Sequence, residues 1–265
     1  MLIDFHAHAF LDKLAANAVS SLAARAHFTP FCDGTVDGTA RLMREQGVDR
    51  FAVLNIAVSP KTERHVNDFA ISLLDRGDTV LPFGSVHPSS PDAFSELERL
   101  KNAGVCGIKF HNEYQNFFVD DESAFPVYER CAELGFIMLF HGGADRGFSP
   151  PVKTPPARMR KVAQAFPEGK FVVAHLGGQD MIGDAVEYLS DTNVMIDVSF
   201  SSRTAAPDAA EACIRAFGFD RVLFGTDCPW DTPESTLAFL SGMHFTQEEM
   251  RRICEKNALR LLGEG

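Results

Sequence analysis

Residues 80–110 read VLPFGSVHPSSPDAFSELERLKNAGVCGIKF, and the fold is easiest to predict from this stretch. It opens with one apolar run, Val80–Val86, and closes with another, Val105–Phe110. Short runs rich in Val, Ile and Phe are typical of strands that are buried on both faces. Between them Pro91–Asn102 starts with proline and stops before Gly104, as helices commonly do. The stretch therefore predicts a strand, a helix and a second strand.

The same alternation continues in both directions along the chain. The other predicted strands are Leu2–Phe5, Phe51–Ala57, Phe136–Phe140, Lys170–Ala174, Val194–Val198 and Arg221–Phe224. The other predicted helices are Leu11–Arg25, Thr39–Gln46, Thr62–Arg76, Glu122–Leu134, Pro156–Phe166, Gly183–Leu189, Pro207–Phe217, Thr232–Leu240 and Thr246–Leu262. The last of them begins with Thr-x-x-Glu, which is a capping-box pattern.

Eight strands that are each followed by a helix predict an α/β protein with a (β/α)₈ TIM barrel. A doubly wound open sheet is the alternative, but no glycine-rich phosphate fingerprint follows any predicted strand. Residues 1–265 are interpreted as one barrel domain. The long connections 9–50 and 142–155 leave the carboxyl ends of strands, so we expect them to lie over the barrel mouth.

Composition narrows the classes of partner. The 265 residues carry a net charge of −11, and 45% of them are hydrophobic. Nucleic acid and membrane surfaces are not expected partners, because the chain has no basic footprint for either. The six cysteines show no C-x-x-C spacing, so buried free thiols in a cytoplasmic protein are expected. The expected partners are a small-molecule substrate and, at most, a second copy of the chain in a homodimer.

Histidines concentrate where a barrel enzyme has its active site. Six of the nine follow predicted strands closely: His6, His8, His87, His111, His141 and His175. Active sites of TIM barrels lie at the carboxyl ends of the strands. In His6-Ala7-His8 the two imidazoles project the same way from an extended chain, and imidazole is a common zinc ligand. An ordinary pair of surface histidines is the alternative for this motif.

Asp227, His141 and His175 extend this candidate site. Asp227 follows the last strand, which adjoins the first in a closed barrel, so its carboxylate should lie near His6 and His8. It can bind a metal ion, accept a proton from water, or merely cap the next helix. His141 is a candidate third nitrogen ligand, and His175 is a ligand or a general base. The glycines that follow both histidines leave room for a substrate.

Lys109 and His111 alternate along one predicted strand and its end, so both can face inward. A lysine buried there has a lowered pKa, and it can become carboxylated and bridge two ions. It can instead remain a cation that binds a substrate carboxylate, or it can be an ordinary lysine on a solvated loop. His111, Arg146 and Trp230 are further candidate substrate-binding residues, Arg146 as an anion partner and Trp230 as part of an apolar pocket.

Taken together, four motifs resemble the amidohydrolase superfamily. They are Asp4-Phe5-His6-Ala7-His8, His141, Ala174-His175-Leu176-Gly177-Gly178 and Phe224-Gly225-Thr226-Asp227-Cys228-Pro229-Trp230. The resemblance is to the amidohydrolase-related branch that contains aminocarboxymuconate semialdehyde decarboxylase and the resorcylate-type decarboxylases. It runs from Asp4 to Leu262 and therefore covers nearly the whole chain.

The resemblance implies a metal centre and its ligands. One divalent ion, with zinc expected and manganese as the alternative, would be held by His6, His8, His141 and Asp227, while His175 assists the water or the substrate. Lys109 departs from the decarboxylases and is similar to the carboxylated lysine of binuclear amidohydrolases, which would allow two ions. The segment from Lys109 to Phe117 resembles a bacterial subgroup of predicted metal-dependent hydrolases.

Three functions follow from these residues. The first is a hydrolase that attacks a small carbonyl-containing substrate, which can be anionic, with a metal-activated water. Asp227, helped by His175, would take the proton of the water, and Lys109 or Arg146 would bind an anionic group of the substrate. The second is a non-oxidative decarboxylase, a carboxy-lyase acting on an aromatic or muconate-type acid. The third is a barrel that binds a metal or ligand without catalysis.

Overall fold

Eight parallel strands form one sheet in chain order in the computed structural model, which describes residues 1–264. The strands are β1 (Ile3–Ala7), β2 (Arg50–Leu54), β3 (Val80–Gly84), β4 (Gly107–Phe110), β5 (Ile137–Phe140), β6 (Lys170–Val173), β7 (Met195–Asp197) and β8 (Val222–Leu223). The Phe5 N–H donates to the Phe224 carbonyl at 2.8 Å, so β1 and the end of β8 meet and close the sheet. The predicted TIM barrel is confirmed. Gly265, the last residue of the predicted domain, lies outside the described residues.

Helices lie between the strands. The α-helices are α1 (Asp12–Ala26), α2 (Val36–Glu45), α3 (Pro60–Ser72), α4 (Ala93–Ala103), α5 (Asn112–Gln115), α6 (Phe125–Glu133), α7 (Pro156–Ala165), α8 (Ile182–Leu189), α9 (Ser201–Thr204), α10 (Pro207–Phe217), α11 (Pro233–Ser241), α12 (Gln247–Arg251) and α13 (Asn257–Leu262). Among residues 1–264, no helix is both long enough and apolar enough to cross a bilayer.

The core explains why the strands are so apolar. Ile3, Phe5, Phe83 and Leu139 belong to a cluster inside the barrel and are at most 2% exposed. A second cluster, which includes Phe140, lies between the sheet and the helices. Both faces of a parallel sheet are therefore covered, and near-continuous hydrophobic runs are what such strands require.

Several predicted elements differ from the structure. The second strand ends at Leu54, before its predicted end at Ala57, and α2 begins at Val36, before its predicted start at Thr39. The first strand continues through His6 to Ala7, past its predicted end at Phe5. The helix predicted at Thr62–Arg76 ends at Ser72 and passes into a 3₁₀ segment. The helix predicted at Thr246–Leu262 keeps its capping box but contains a π-helical turn, Arg252–Lys256. That wider turn accompanies a bond across elements, because the Ile253 carbonyl accepts the Phe224 N–H at 2.9 Å.

Two short helices were not predicted. They are α5, which follows β4, and α9, which follows β7. Each has only four residues, too few to show a helical period in the sequence. Both lie at the carboxyl ends of strands, which is the end of the barrel that carries the predicted site.

Candidate active site

One cavity at the barrel mouth gathers the predicted site residues. It has a volume of about 410 Å³ and is lined, among others, by His6, His8, Lys109, His111, His141, Arg146, His175, Asp227 and Trp230. Residues of both long connections also line it, including Leu14 and Asp145. Every residue that the sequence proposed as a ligand, an acid-base group or a substrate-binding residue therefore borders the same space, whereas His87, the other strand-end histidine, does not line it.

His6, His8 and Asp227 form one group of possible metal ligands. The Nε2 atoms of His6 and His8 lie 3.2 and 3.1 Å from the same Asp227 oxygen, Oδ1. Asp227 has a left-handed backbone with φ of 69°, and its N–H donates to the His6 carbonyl at 2.7 Å. Gly225 permits this close approach, because a Cβ there would lie 2.9 Å from the His6 Cβ.

The hydrogen bond on the far side of His8 determines which of its nitrogens faces Asp227. His8 Nδ1 lies 3.0 Å from the Leu54 carbonyl oxygen, which can only accept, so Nδ1 carries the proton. In the neutral ring Nε2 then presents a lone pair to a carboxylate oxygen. Two acceptors in contact require a proton or a cation between them, and imidazole with carboxylate is a donor set that zinc and related ions use.

His6 is oriented by a carboxylate from β7. Its Nδ1 lies 2.8 Å from Asp197 Oδ2, so the ring donates there and turns Nε2 toward Asp227. Metal-binding histidines commonly donate their other ring N–H to a carboxylate or a backbone carbonyl. His6 donates to the Asp197 carboxylate, and His8 donates to the Leu54 carbonyl. The geometry therefore fits a divalent ion held at the Nε2 atoms of these two residues and at Asp227.

His175 and His141 contact each other at 3.1 Å, from Nε2 to Nδ1. His175 Nδ1 lies 3.0 Å from the Ser199 carbonyl oxygen, so it donates there and leaves Nε2 as a lone pair. Within the described residues, the other ring nitrogen of His141 has no hydrogen-bond partner although it is buried. His141 falls in a second group of possible ligands, with His111 and Asp145, whose atoms lie within 4.8 Å of one another. The structure thus brings the four predicted ligands to one cavity but divides them between two groups.

Lys109 projects from β4 and is fully buried. Among residues 1–264, its Nζ has no hydrogen-bond partner. Burial lowers the pKa of this ammonium to about 8, although Asp197 and Asp227 act in the opposite direction. The solvated-loop alternative for Lys109 is wrong. A buried amine without a partner is available to a substrate anion.

His111 stacks on His141, with ring centroids 4.3 Å apart. Its Nε2 lies 3.3 Å from Asp145 Oδ2, and its Nδ1 lies 3.8 Å from Glu113 Oε2. Burial is the main reason why the pKa of His111 and that of His141 are well below 6.5. Both rings are therefore neutral near pH 7, as metal binding and proton acceptance require.

Arg146 and Trp230 lie at the edge of the cavity. The Arg146 side chain is 44% exposed, and its Nη2 is 3.5 Å from Asp180 Oδ1. Trp230 is half-buried beside Phe28, with ring centroids 6.4 Å apart. Arg146 is thus a partly solvated side chain at the rim, whereas Trp230 is part of an aromatic wall.

Asp197 and Ser199 were not predicted as site residues. Asp197 accepts the backbone N–H groups of His175 and Ser199 at 3.0 Å each, in addition to the His6 imidazole. Burial raises the pKa of Asp197, but the neighbouring His6 and His175 imidazoles and the hydrogen bonds from His6 and Ser199 outweigh it, so this pKa lies below its usual value of 3.8. The available sequence signal was an acidic residue at the end of the strand Met195–Asp197, but this aspartate is not part of any spacing typical of metal ligands.

Asp4 is the second carboxylate behind the site. Thr226 donates to it twice, from Oγ1 to Oδ2 at 2.6 Å and from its N–H to Oδ1 at 3.0 Å. The Thr226 Oγ1 also accepts the Cys228 N–H at 3.0 Å. This network connects β1 to the segment on both sides of Asp227 and so fixes where that carboxylate lies.

Comparison with known proteins places these features in a family. The amidohydrolase family model matches residues 3–263. The curated 4-sulfomuconolactone hydrolase of Rhizobium radiobacter is 27% identical over 144 residues, which is 54% of this chain and 45% of that protein. The aligned part is therefore less than half of the relative's length.

Solved structures share the fold. An uncharacterized TIM-barrel protein from Bordetella bronchiseptica superposes with a TM-score of 0.77 at 19% identity, over 99% of this chain and 98% of the other. A dihydroxybenzoic acid decarboxylase from Polaromonas, with bound manganese and the inhibitor 2-nitroresorcinol, gives 0.72 at 16% identity, over 99% and 96%. Identities this low establish the fold alone.

Proposed function

This chain belongs to the amidohydrolase family, and on that basis we propose that it is a metal-dependent hydrolase that opens a carbonyl substrate, in first place a lactone or ester. The contact of His6 and His8 with one Asp227 oxygen carries the proposal, because two imidazole nitrogens and a carboxylate oxygen at this distance form a donor set for a cation. The curated relative, a lactone hydrolase by its name, supports this class of reaction.

His6, His8 and Asp227 would hold the ion, with His141 as a further ligand. Zinc is the ion we propose, and manganese, which the Polaromonas decarboxylase binds, is the alternative. Such an ion supplies a Lewis acid for the carbonyl oxygen and brings the pKa of water down toward about 7. One ion fits these ligands, and a second would need a carboxylated Lys109.

Proton transfer is the task of Asp227 and His175. The Asp227 carboxylate accepts the proton of the attacking water, because it borders the cavity beside His6 and His8. His175 also lines this cavity; its Nδ1 donates to the Ser199 carbonyl, and its Nε2 carries a lone pair 3.1 Å from His141 Nδ1. The His175 Nε2 can pass a proton to the leaving oxygen once it has been protonated.

Lys109 and His111 would orient the substrate. The Lys109 Nζ, buried and without a partner among the described residues, would bind an anionic oxygen of the substrate. His111 borders the same space and is oriented by Asp145. Arg146 at the rim would steer an anionic substrate rather than bind it tightly, since its side chain is largely solvated.

A carboxy-lyase is the second candidate, and the aromatic wall at Phe28 and Trp230 is the observation that favours it, although Lys109 departs from the resorcylate-type decarboxylases. A buried ammonium is a natural partner for the carboxylate of an aromatic or muconate-type acid. In this case His175 would deliver a proton to carbon after the C–C bond breaks.

Two assays distinguish these reactions. Purified protein stripped with a chelator and reloaded with zinc or manganese is given lactones and esters, and acid release is followed at constant pH. Carbon dioxide release is followed separately with aromatic acids. We expect metal-dependent acid release, lowered roughly a hundredfold or more by His175→Ala. The control His244→Ala, at a 93% exposed side chain, should leave it unchanged. Carbon dioxide release without acid release from any lactone or ester would overturn the hydrolase proposal.

A further inference from the structure

We infer that the substrate has an apolar body that fills a chamber beside the metal ligands, between α1 and α3; the inference rests on the proposed hydrolase function. The cavity of about 410 Å³ corresponds to roughly a dozen water-sized volumes at about 30 Å³ each. A lactone or ester with an alkyl or aryl substituent of several carbons fits this space.

One wall of the chamber is a face of α1. Leu14, Leu22 and Ala26 line the cavity from within the helix, and Leu11 and Phe28 line it from either end. Their positions along the chain repeat at helical spacing, so they share one side of the helix. No ligand or acid-base group comes from this wall, so its chemistry is that of a binding surface.

The opposite wall comes from the end of β2 and from α3. Val66 and Phe69 line the cavity one helical turn apart, and Ile56 and Val58 line it from the connection before α3. Phe200 and Trp230 close the aromatic end. Most polar groups of the cavity lie at the strand ends and in the loops after them, although Thr62 and His65 of α3 also line it.

Exposed hydrophobic residues mark the entrance. Five large hydrophobic side chains stand out as exposed among residues 1–264, namely Met1, Leu14, Phe31, Val58 and Phe94. Leu14 is 50% exposed and Val58 is 45% exposed, and both line this cavity. Apolar surface kept at the mouth of a pocket indicates an apolar ligand.

Positive charge is scarce in the same space. Lys109 and Arg146 are the lysine and the arginine among the lining residues, and Arg146 already lies 3.5 Å from Asp180. A second anionic group on the substrate would enter the apolar chamber without a partner, which costs free energy. The substrate of the curated relative carries a sulfo group by its name, so the two proteins should differ in specificity.

The test is the dependence of kcat/KM on alkyl chain length in a series from γ-butyrolactone to γ-nonalactone. Each added methylene should raise kcat/KM by about fourfold until the chamber is full, as burial of about 0.8 kcal/mol per methylene predicts. Leu14→Gln should lower the ratio of kcat/KM for γ-nonalactone to that for γ-butyrolactone roughly fivefold, because part of a leucine side chain is lost from the wall. Phe94→Gln is the matched control, since Phe94 is 47% exposed and does not line the cavity.

A binding measurement separates this inference from the hydrolase proposal. Trp230 is the single tryptophan of the chain and lines the cavity, so its fluorescence reports occupancy. Nonanoate should bind at least tenfold more tightly than butyrate, and Leu14→Gln should reduce that ratio. If this holds while no lactone or ester is hydrolysed, the chamber stands and the hydrolase proposal fails. Lactones hydrolysed equally well at every chain length would overturn the chamber, as would a preference for sulfo- or carboxy-substituted lactones. A change in oligomeric state on Leu14→Gln without a change in chain-length dependence would also overturn it.

Discussion

Asp197 Oδ2 lies 2.8 Å from His6 Nδ1, and this contact couples β7 to the first candidate metal ligand. The other carboxylate oxygen of Asp197 accepts the backbone N–H groups of His175 and Ser199. A single buried side chain therefore positions both a proposed ligand and a proposed acid-base group. Asp197 is fully buried and does not line the cavity, so we assign it a positioning role.

Replacing Asp197 should weaken metal binding while leaving the barrel folded. In Asp197→Asn the amide no longer offers a carboxylate to the His6 imidazole, so the ring loses basicity and orientation. Metal affinity should fall roughly ten- to a hundredfold, as is usual for residues behind a metal ligand. Competition against a chromophoric chelator measures this affinity. Asp191→Asn, at a 64% exposed carboxylate paired with Arg160, is the control. Equal affinities of Asp197→Asn and the unmodified chain would refute the positioning role.

We expect the buried Lys109 amine to lower the free energy of unfolding while it contributes to substrate binding. Its amine is buried without a partner, and methionine has a similar shape without the charge. We expect Lys109→Met, freed of metal, to gain about 1–3 kcal/mol in the free energy of unfolding in urea. Its kcat/KM should drop at least tenfold for an anionic substrate. Lys161→Met, at a 65% exposed side chain, should change neither value. A marked loss of stability in Lys109→Met would show that the amine has a structural partner.

Glu96 on α4 should make stability depend on pH. Burial raises the pKa of this carboxyl, but hydrogen bonds from Arg99, Asn67 and Arg64 outweigh that effect and hold the pKa below 4.5. The folded-state pKa is therefore below the unfolded one, so the stabilisation is complete above about pH 4.5 and disappears as the pH falls through the folded-state pKa.

Glu96→Gln tests this sign. The variant should lose about 1–3 kcal/mol of unfolding free energy at pH 7, and the difference from the unmodified chain should shrink below pH 4.5. Urea unfolding at a series of pH values measures it. Glu98→Gln, 56% exposed and paired with Arg130, should show a much smaller effect. A difference that grows toward acid pH would contradict the argument.

Thr226 should affect both stability and the metal site. In Thr226→Val the Asp4 carboxylate loses the 2.6 Å hydrogen bond that it receives from Oγ1, and it stays buried. We expect a loss of about 1–3 kcal/mol in unfolding free energy and weaker metal binding, because Asp227 is adjacent. Thr226→Ser keeps the hydroxyl and should restore both. Failure of serine to restore metal binding would point to packing of the threonine methyl instead.

The sequence predicted the strands better than the site, and there is a physical reason. A buried parallel strand must be apolar along its whole length, so Phe136–Phe140 and Lys170–Ala174 lie within one residue of β5 and β6. Strand ends are set by local geometry instead. The pairing of β1 with β2 shifts register between Asp4 and Ala7, and no sequence pattern predicts such an irregularity.

The candidate ligands that follow a sequence spacing were predicted. The residues that contact and orient those ligands were not. His6 and His8 two residues apart, and Asp227 after the last strand, needed only the closure of the barrel to meet. Asp197 and Ser199 belong to no motif, and their role depends on three-dimensional contacts with His6 and His175. The division of the predicted ligands, with His141 beside His111 and Asp145, likewise depends on side-chain directions that strand spacing leaves open.

Metal content is the most direct test of the account, because every proposed step depends on the ion at His6, His8 and Asp227. Protein purified without added metal is analysed by elemental mass spectrometry beside His8→Ala and the control His65→Ala, an exposed histidine that lines the same cavity. We expect about one divalent ion per chain in the unmodified protein and in His65→Ala, and less than about a tenth in His8→Ala. A chain that retains no ion after reloading with zinc or manganese, or a His8→Ala variant that binds as much as the unmodified protein, would contradict the account.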